Sequence, residues 1–339
     1  MSQTPKKAFS PMNLIRRPEF GALIGALAVY IFFAFAGGSA FTDLGGWASW
    51  LNVAAELGII ALPVSLVMIA GDLDLSVGSV LASSSMTLAI VSGFYGLPTW
   101  IGILAALLFG IVVGTINGII VTKTNLPSFV VTLATMFAVS GITLGLTRLL
   151  TGSTSVAFNA DQPFQNMFGI MLFDKFEVAI VWWIIVAAVV SWVLYKSIFG
   201  NWIYAIGGDV VSARATGIPV SKVRIFLFAG SGFGASLVAV IQTCLYNSAQ
   251  VANGQSFVFN SIIAVVVGGV LLTGGYGSTI GVILGTVTFG IVNQGIYYTG
   301  WNADWAALIL GILLLIAVLT NNTFRRLAIS GGKKEKKND

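Results

Sequence analysis

Charged residues are scarce in this sequence. Asp, Glu, Lys and Arg make up only 9% of its 339 residues, whereas 57% are hydrophobic. A soluble domain carries about 25% charged residues, so the deficit excludes that class. The 40 glycines fit helices that pack closely in lipid, where small residues let backbones approach each other. The composition therefore predicts an all-α polytopic membrane protein.

Histidine is absent, and the only cysteine is Cys244. Without histidine there are no His-based metal sites, catalytic triads or proton relays. One cysteine cannot form a disulfide framework. The sequence also has no Gly-x-x-x-x-Gly-Lys-Ser/Thr loop, so the chain does not hydrolyse a nucleotide by the P-loop route. We therefore expect no catalytic residues, no metal site and no cofactor in this chain.

Long apolar runs account for most of the chain. A helix that crosses the bilayer needs about 20 apolar residues, and this length predicts about ten spans. No convincing cleavage site follows the first run, so we expect a retained span rather than a signal peptide. The short eighth run is compatible with a broken or re-entrant helix lined by protein. The predicted spans lie near 20–37, 51–70, 77–93, 98–121, 127–149, 177–196, 223–245, 257–272, 279–299 and 304–320.

The basic residues flank these runs. With ten spans and a cytoplasmic N-terminus, all but two of the 17 Lys and Arg residues fall on the cytoplasmic side, the exceptions being Arg148 and Lys175. The positive-inside rule predicts this asymmetry, so the net charge of +5 reflects topology rather than nucleic-acid binding. Both termini are predicted to be cytoplasmic. The expected divisions are an N-terminal tail (1–19), a transmembrane domain (20–320) and a basic tail (321–339).

The segment Gly71–Ser79 places two carboxylates, Asp72 and Asp74, between apolar runs. Charged groups at membrane depth are costly and mark functional sites. Two compatible interpretations remain open. Asp74 or Ser76 caps a helix that begins near Val77, or the polar groups line an aqueous pathway. A paired-carboxylate hydrolase is disfavoured, because no other acid, base or nucleophile assembles nearby.

The longest cytoplasmic connection is residues 197–222. Asp209 is predicted to N-cap a short helix over Val210–Thr216, with Gly217 at the C′ position and a proline just beyond. So short a helix is not stable alone. It is either a surface turn or an element that docks into another protein, and Asp209, Arg214 and Gly217 together favour docking.

Four polar residues lie singly within apolar runs. Asn117, Asn293 and Gln294 are interpreted as interhelical hydrogen-bonding groups rather than ligands. Glu56 is ambiguous in the same way. None of the four is part of a recognisable motif.

Two further segments have mainly structural interpretations. Pro127 follows a turn and is predicted at the first position of the next helix. The glycine-rich run Gly268–Ser278 follows no strand and lacks a phosphate-binding lysine, so it predicts close helix packing and a tight turn.

The two halves of the chain show a faint correspondence. Spans two to five and seven to ten can be superposed in opposite orientation, which pairs Gly71–Ser79 on the inner side with Asn247–Ser256 on the outer side. Inverted repeats of this kind build many transporters around a midplane pathway. The repeat is a hypothesis.

Four stretches together resemble the permease subunits of ATP-binding-cassette (ABC) importers for simple sugars, the ribose and xylose permease family. Where that family commonly has Gly-Gly-Ile-Asp-Leu-Ser, this chain has Gly-Asp-Leu-Asp-Leu-Ser. Asp74 and Ser76 match the pattern, and Asp72 is an additional carboxylate. The four stretches are Gly71–Ser79, Asn125–Leu133, Tyr204–Pro219 and Gly268–Ser278.

The resemblance implies a type II importer fold in the bacterial inner membrane and a transport subunit rather than an enzyme. The implied partners are a second permease chain, cytoplasmic ATPase subunits that hold ATP and Mg²⁺, and a periplasmic sugar-binding protein. The substrate is then a monosaccharide or related polyol. The family's coupling helix maps onto Asp209–Gly217. The residues expected to couple to the ATPase are Asp209, Ala213, Arg214, Thr216 and Gly217; those expected along the translocation pathway are Asp72, Asp74, Ser76, Asn125, Pro127, Thr132 and Asn293.

Other functions stay open at this point. An ion-coupled secondary transporter would use Asp72 and Asp74 as coupling carboxylates. A membrane scaffold would transport nothing. Relatives within the family import nucleosides, autoinducer-type furanosyl compounds or, more distantly, branched-chain amino acids. Specificity in such systems rests largely on the separate binding protein, so this chain does not name its substrate.

Overall fold

The computed structural model describes residues 18–124 and 126–316. Asn125 and nearly all of the two predicted tails therefore lie outside the described residues. The helices, in chain order, are α1 (Pro18–Thr42), α2 (Leu44–Ile69), α3 (Val77–Leu88, continued by a π-helical turn, Ala89–Phe94), α4 (Thr99–Thr124), α5 (Ser128–Thr151), α6 (Gln162–Phe168), α7 (Ala179–Lys196), α8 (Ile198–Gly208), α9 (Val210–Ala215), α10 (Val220–Tyr246), α11 (Gln255–Val267), α12 (Thr279–Tyr298) and α13 (Trp305–Ile316).

Eight of these helices are long and apolar enough to cross a membrane, and α11 and α13 are shorter apolar helices. Each of the ten predicted spans coincides with one of them, which confirms an all-α polytopic membrane fold. The eighth predicted span, 257–272, contains a helix of only 13 residues. At 1.5 Å per residue α11 is about 20 Å long, less than the hydrocarbon thickness of a bilayer.

Four short strands lie in the connections between helices. β1 (Ser155–Ala157) pairs antiparallel with β4 (Ser248–Gln250), and β2 (Met171–Leu172) pairs antiparallel with β3 (Phe176–Glu177). The first pair ties the long segment after α5 to the end of α10. Both pairs belong to the side of the fold that the charge pattern assigns to the outside.

The core is built around α2 and α10. Residues 54–69 of α2 and 234–244 of α10 are all buried. α4 packs against α10 through Gly110 and Gly114, where an added Cβ would collide with carbonyl oxygens of α10. Contact at backbone distance is what small residues permit between membrane helices.

Other helices carry their apolar side chains on the surface. Leu149 on α5 is 79% exposed, Trp192 on α7 is 62% exposed and Phe35 on α1 is 86% exposed. A large exposed apolar surface on a helical protein fits contact with lipid.

The cytoplasmic connection differs from the sequence prediction. Residues 197–222 were expected to contain one short helix, but α8 (Ile198–Gly208) precedes it. Ser197 begins α8 as its N-cap by accepting a hydrogen bond from the Gly200 N–H. The predicted short helix is present as α9, which ends at Ala215, one residue earlier than expected.

Candidate functional site

Residues 71–76 of the Gly71–Ser79 segment lie between α2 and α3, and its last three residues begin α3. Gly71 has φ +87°, a conformation that glycine adopts readily. Asp72 then bonds Arg224, and Asp74 bonds Ser231, seven residues further along α10. Seven helical residues span about 10 Å. The segment therefore contacts α10 first near its cytoplasmic end and then near the middle of that 27-residue helix. α3 begins beside the middle of α10.

Asp74 is the centre of a buried hydrogen-bond network. Its Oδ1 accepts from the Ser76 N–H at 2.9 Å and the Ser76 hydroxyl at 2.6 Å, and its Oδ2 accepts from the Ser231 hydroxyl at 2.7 Å. Asn117 Nδ2 donates to Ser76 Oγ at 2.9 Å, and Asn117 Oδ1 accepts from the Thr135 hydroxyl at 2.7 Å. The network joins α3, α4, α5 and α10 and confirms that Asn117 makes interhelical hydrogen bonds.

The network corrects one capping interpretation. Ser76 occupies the N-cap position of α3, but no side chain there accepts from the first helical N–H groups. The Ser76 hydroxyl donates to Asp74 and accepts from Asn117 instead. Asp74 accepts the N–H of Ser76 itself, which lies before the helix. The prediction that Asp74 or Ser76 takes up the free N–H groups of α3 is therefore wrong.

Asp72 forms a two-pronged ion pair with Arg224. Arg224 Nε lies 2.6 Å from Asp72 Oδ2, and Arg224 Nη2 lies 2.7 Å from Oδ1. The side chain of Asp72 is only 3% exposed and that of Arg224 is 18% exposed. Burying a carboxylate is costly unless an oppositely charged group forms hydrogen bonds with it, and Arg224 does so here. The sequence analysis used Arg224 only as one of the basic residues that indicate membrane topology. The additional carboxylate, Asp72, could have indicated that a basic residue lies close to it in the fold.

The start of α5 holds the same segment from the other side. The Leu73 N–H donates to Ser128 Oγ at 3.0 Å, and the Leu75 N–H donates to Thr132 Oγ1 at 3.1 Å. Both hydroxyls satisfy backbone groups that no helix pairs. The structure thus places Thr132 beside the segment. Pro127 is the N-cap of α5, so the helix begins at Ser128, one residue later than the prediction that places Pro127 at the first helical position.

Asn293 lies apart from this group. On α12 its Oδ1 accepts from Nε2 of the adjacent Gln294 at 3.1 Å, so the expected interhelical bond is replaced by one within the helix. Glu56 does bond between helices, accepting from Gln242 of α10 at 2.9 Å. Of the seven residues expected along a pathway, four therefore meet around the Gly71–Ser79 segment: Asp72, Asp74, Ser76 and Thr132.

Within the 197–222 connection, the short helix α9 is capped at both ends as the sequence predicts. Asp209 accepts the Ser212 N–H at 2.6 Å, and this hydrogen bond lowers the pKa of the Asp209 carboxyl. At the other end Gly217 has φ +85°, and the N–H groups of Gly217 and Ile218 bond back to Arg214 and Ala213. This is a Schellman C-terminal motif.

α9 packs against the rest of the protein through the side chain of Ala213. Ala213 is 3% exposed. Val211, Arg214 and Thr216 are exposed, and Arg214 has no ion-pair partner in the part of the chain that the structure describes. The exposed face is free to contact another protein.

A glycine junction links this loop to the core. Added Cβ atoms at Gly207 of α8 would collide with the Ile69 carbonyl and with Gly275, and Gly274 lies against the backbone of Gly71. The Gly275 N–H donates to the Ile69 carbonyl at 2.8 Å. The Tyr204 hydroxyl also bonds the Gly277 carbonyl at 2.8 Å. These contacts confirm close packing and a tight turn in the Gly268–Ser278 run.

The two segments that the repeat hypothesis pairs also touch. An added Cβ at Gly78 would collide with the Gly254 carbonyl oxygen, and one at Gly254 would collide with the Gly78 carbonyl. Each glycine lies at the start of a short helix, α3 or α11. The contact places the two segments side by side, and the repeat itself stays a hypothesis.

These features define a polytopic membrane protein with a polar core at helix breaks and a short exposed helix, α9, on the predicted cytoplasmic side. The chain belongs to the family described as "Branched-chain amino acid transport system / permease component", whose model matches residues 46–318.

Individual relatives agree with that assignment. The chain is 36% identical to the ribose import permease protein RbsC of Bacillus subtilis over 79% of this chain and 82% of that protein. It is 35% identical to RbsC of Haemophilus influenzae over 78% and 81% of the two chains. It is 33% identical to a probable ABC transporter permease protein of Sinorhizobium fredii over 88% and 87%. The chain is thus a multi-pass inner-membrane permease subunit of an ABC importer, as the resemblance implied.

Proposed function

We propose that this chain carries a monosaccharide or related polyol across the inner membrane, as one of two permease subunits. Cytoplasmic ATPase subunits that hold ATP and Mg²⁺ drive the movement, and a periplasmic binding protein delivers the substrate. The observation that carries the proposal is the similarity to ribose import permeases over about four fifths of both chains.

The geometry supports a route for the driving motion. The exposed α9 is continuous with α8, which contacts the glycine junction, and with α10, which carries Arg224. A displacement of α9 by an ATPase therefore reaches the Gly71–Ser79 segment by two paths. The ATP-bound ATPase shifts the permease between two states by as much as the affinities of the ATPase for those two states differ. Asp209, Ala213, Arg214, Thr216 and Gly217 form the coupling element.

The ion-coupled alternative fits the site less well. Asp72 is occupied by the two-pronged pair with Arg224, and Asp74 accepts three hydrogen bonds. Each of the four carboxylate oxygens already accepts at least one hydrogen bond from a protein group. We assign these residues to holding the core together around the pathway.

Reconstitution tests the proposal. Proteoliposomes containing the permease, its ATPase and its binding protein are loaded with ATP, and uptake of radiolabelled D-ribose is measured together with ATP hydrolysis. Arg214→Ala should reduce uptake by about tenfold or more while leaving the folded permease in the membrane. Lys123→Ala, which removes an exposed charge at the end of α4, is the matched control and should transport normally.

Two results would overturn the proposal. Uptake that persists without ATP and collapses with an ion gradient would identify a secondary transporter. Wild-type coupling of ATP hydrolysis to uptake in Arg214→Ala would exclude α9 as the coupling element.

A further inference from the structure

A polar cavity of about 340 Å³ opens on the outer side, between the end of α10, β4 and the start of α11. Its volume lies at the lower end of the range for small-molecule sites, about 300–1,000 Å³. It adjoins Gly254, which contacts Gly78 at the start of α3. The cavity therefore lies directly outside the polar core described above.

The lining has a particular chemistry. Six of its lining residues carry an amide or a hydroxyl group: Gln242, Gln250, Asn253, Tyr246, Ser248 and Ser256. Amide and hydroxyl groups both donate and accept hydrogen bonds. No Asp, Glu, Lys or Arg is among the lining residues, and Phe257 adds an aromatic ring.

A hydrogen bond to Glu56 orients the side chain of Gln242. Its Nε2 donates to Glu56 Oε2 at 2.9 Å, and both side chains are 8% exposed. This hydrogen bond turns the amide nitrogen of Gln242 toward Glu56, and no described residue donates to its amide oxygen. The second oxygen of Glu56 is buried and has no hydrogen-bond partner among the described residues. A buried polar atom without a partner is costly, and such atoms are retained where function needs them.

We propose that this cavity is an outward-facing subsite for a neutral polyhydroxy compound of monosaccharide size, with Gln242 as its orienting residue. The inference rests on the proposed function and deepens it by naming a site and a ligand class. Hydroxyls of such a ligand match the mixed donors and acceptors of the lining. None of the lining residues carries a charge that could pair with the ammonium or the carboxylate of a zwitterionic amino acid.

Binding to the purified full-length permease in nanodiscs tests the site without ATP or binding protein. Radiolabelled D-ribose is the probe, and unlabelled xylitol and L-leucine are the competitors. Gln242→Leu should weaken D-ribose binding about tenfold, and xylitol but not L-leucine should compete. Gln294→Leu, which removes an amide on α12 away from the cavity, should bind as wild type.

A second variant separates loss of binding from loss of folding. Asn253→Ala changes a half-buried turn residue of the lining and should also weaken binding while leaving the unfolding temperature unchanged. Wild-type D-ribose binding in both cavity variants would overturn the subsite, even where ATP-driven uptake by the wild type still supports the proposed function. Competition by L-leucine would overturn the ligand class. Failure of the wild type to take up sugar in the complete reconstituted complex would overturn the proposed function itself.

Discussion

The ion pair between Asp72 and Arg224 yields the sharpest prediction about stability. In Arg224→Met a shorter, uncharged side chain replaces the guanidinium, which leaves Asp72 buried without its ion-pair partner. Breaking a buried pair in this way costs about 3–5 kcal/mol. Because Arg224 is 18% exposed, water can reach the site, and we expect the lower end, about 3 kcal/mol.

That cost can be measured by thermal unfolding in one detergent. A loss of about 3 kcal/mol lowers the ratio of folded to unfolded protein about 150-fold, since 1.4 kcal/mol is a factor of ten. At about 2 °C per kcal/mol for a large chain, the midpoint should fall by about 6 °C. Lys222→Met, which removes an exposed charge two positions earlier, is the control and should change the midpoint little.

A double-mutant cycle isolates the pair itself. Asp72→Leu combined with Arg224→Met removes both charges, and apolar replacement of a whole buried pair is often neutral. The double variant should therefore recover most of the stability that Arg224→Met loses, with a coupling energy of about 2 kcal/mol. Equal midpoints for Arg224→Met and Lys222→Met, or no recovery in the double variant, would refute the reasoning.

Three further predictions follow from single contacts. Gly207→Ala should destabilise the protein by about 2 kcal/mol, because the added methyl group collides with the Ile69 carbonyl. At the neighbouring Gly208 the same methyl group meets open space, so Gly208→Ala should change stability by less than about 0.5 kcal/mol. Equal unfolding midpoints for the two variants would contradict this. Asn117→Ala breaks two buried hydrogen bonds and should cost about 1–3 kcal/mol in the same assay, so an unchanged midpoint would argue against the network. Burial raises the pKa of Glu177 from 4.5 to about 7, so the folded state binds this proton more tightly than the unfolded state, and stability should fall as the pH rises through that interval. The difference between midpoints recorded at about pH 5 and pH 8 should be smaller in Glu177→Gln than in the wild type, and an unchanged difference would exclude this group as a cause.

The sequence predicts the helices well because each span depends on its own apolar run. The α9 cap and its C-terminal motif were also predictable, since Asp209 and Gly217 act on backbone groups a few residues away. The failure to predict α8 also has a local cause. Its residues are partly apolar and follow α7 after a single residue, Ser197, so the sequence shows no polar break of the usual kind.

Pairing across the fold could not be predicted in the same way. Asp72 and Arg224 are 152 residues apart, and Asp74 and Ser231 are 157 apart. Several cations were available to Asp72, and nothing local distinguishes one from another. The capping role assigned to Ser76 failed for the same reason, because Asn117 on another helix competes for its hydroxyl.

The glycine junction has a mechanical consequence. Gly71, Gly207, Gly274 and Gly275 meet there through main-chain atoms, and the Gly275 N–H is bonded to the Ile69 carbonyl. Main-chain contacts have no side-chain rotamers that could move aside for a larger group. A larger residue at Gly207 would therefore have to displace the Ile69 carbonyl or the Gly275 backbone, and would push α8 away from the end of α2.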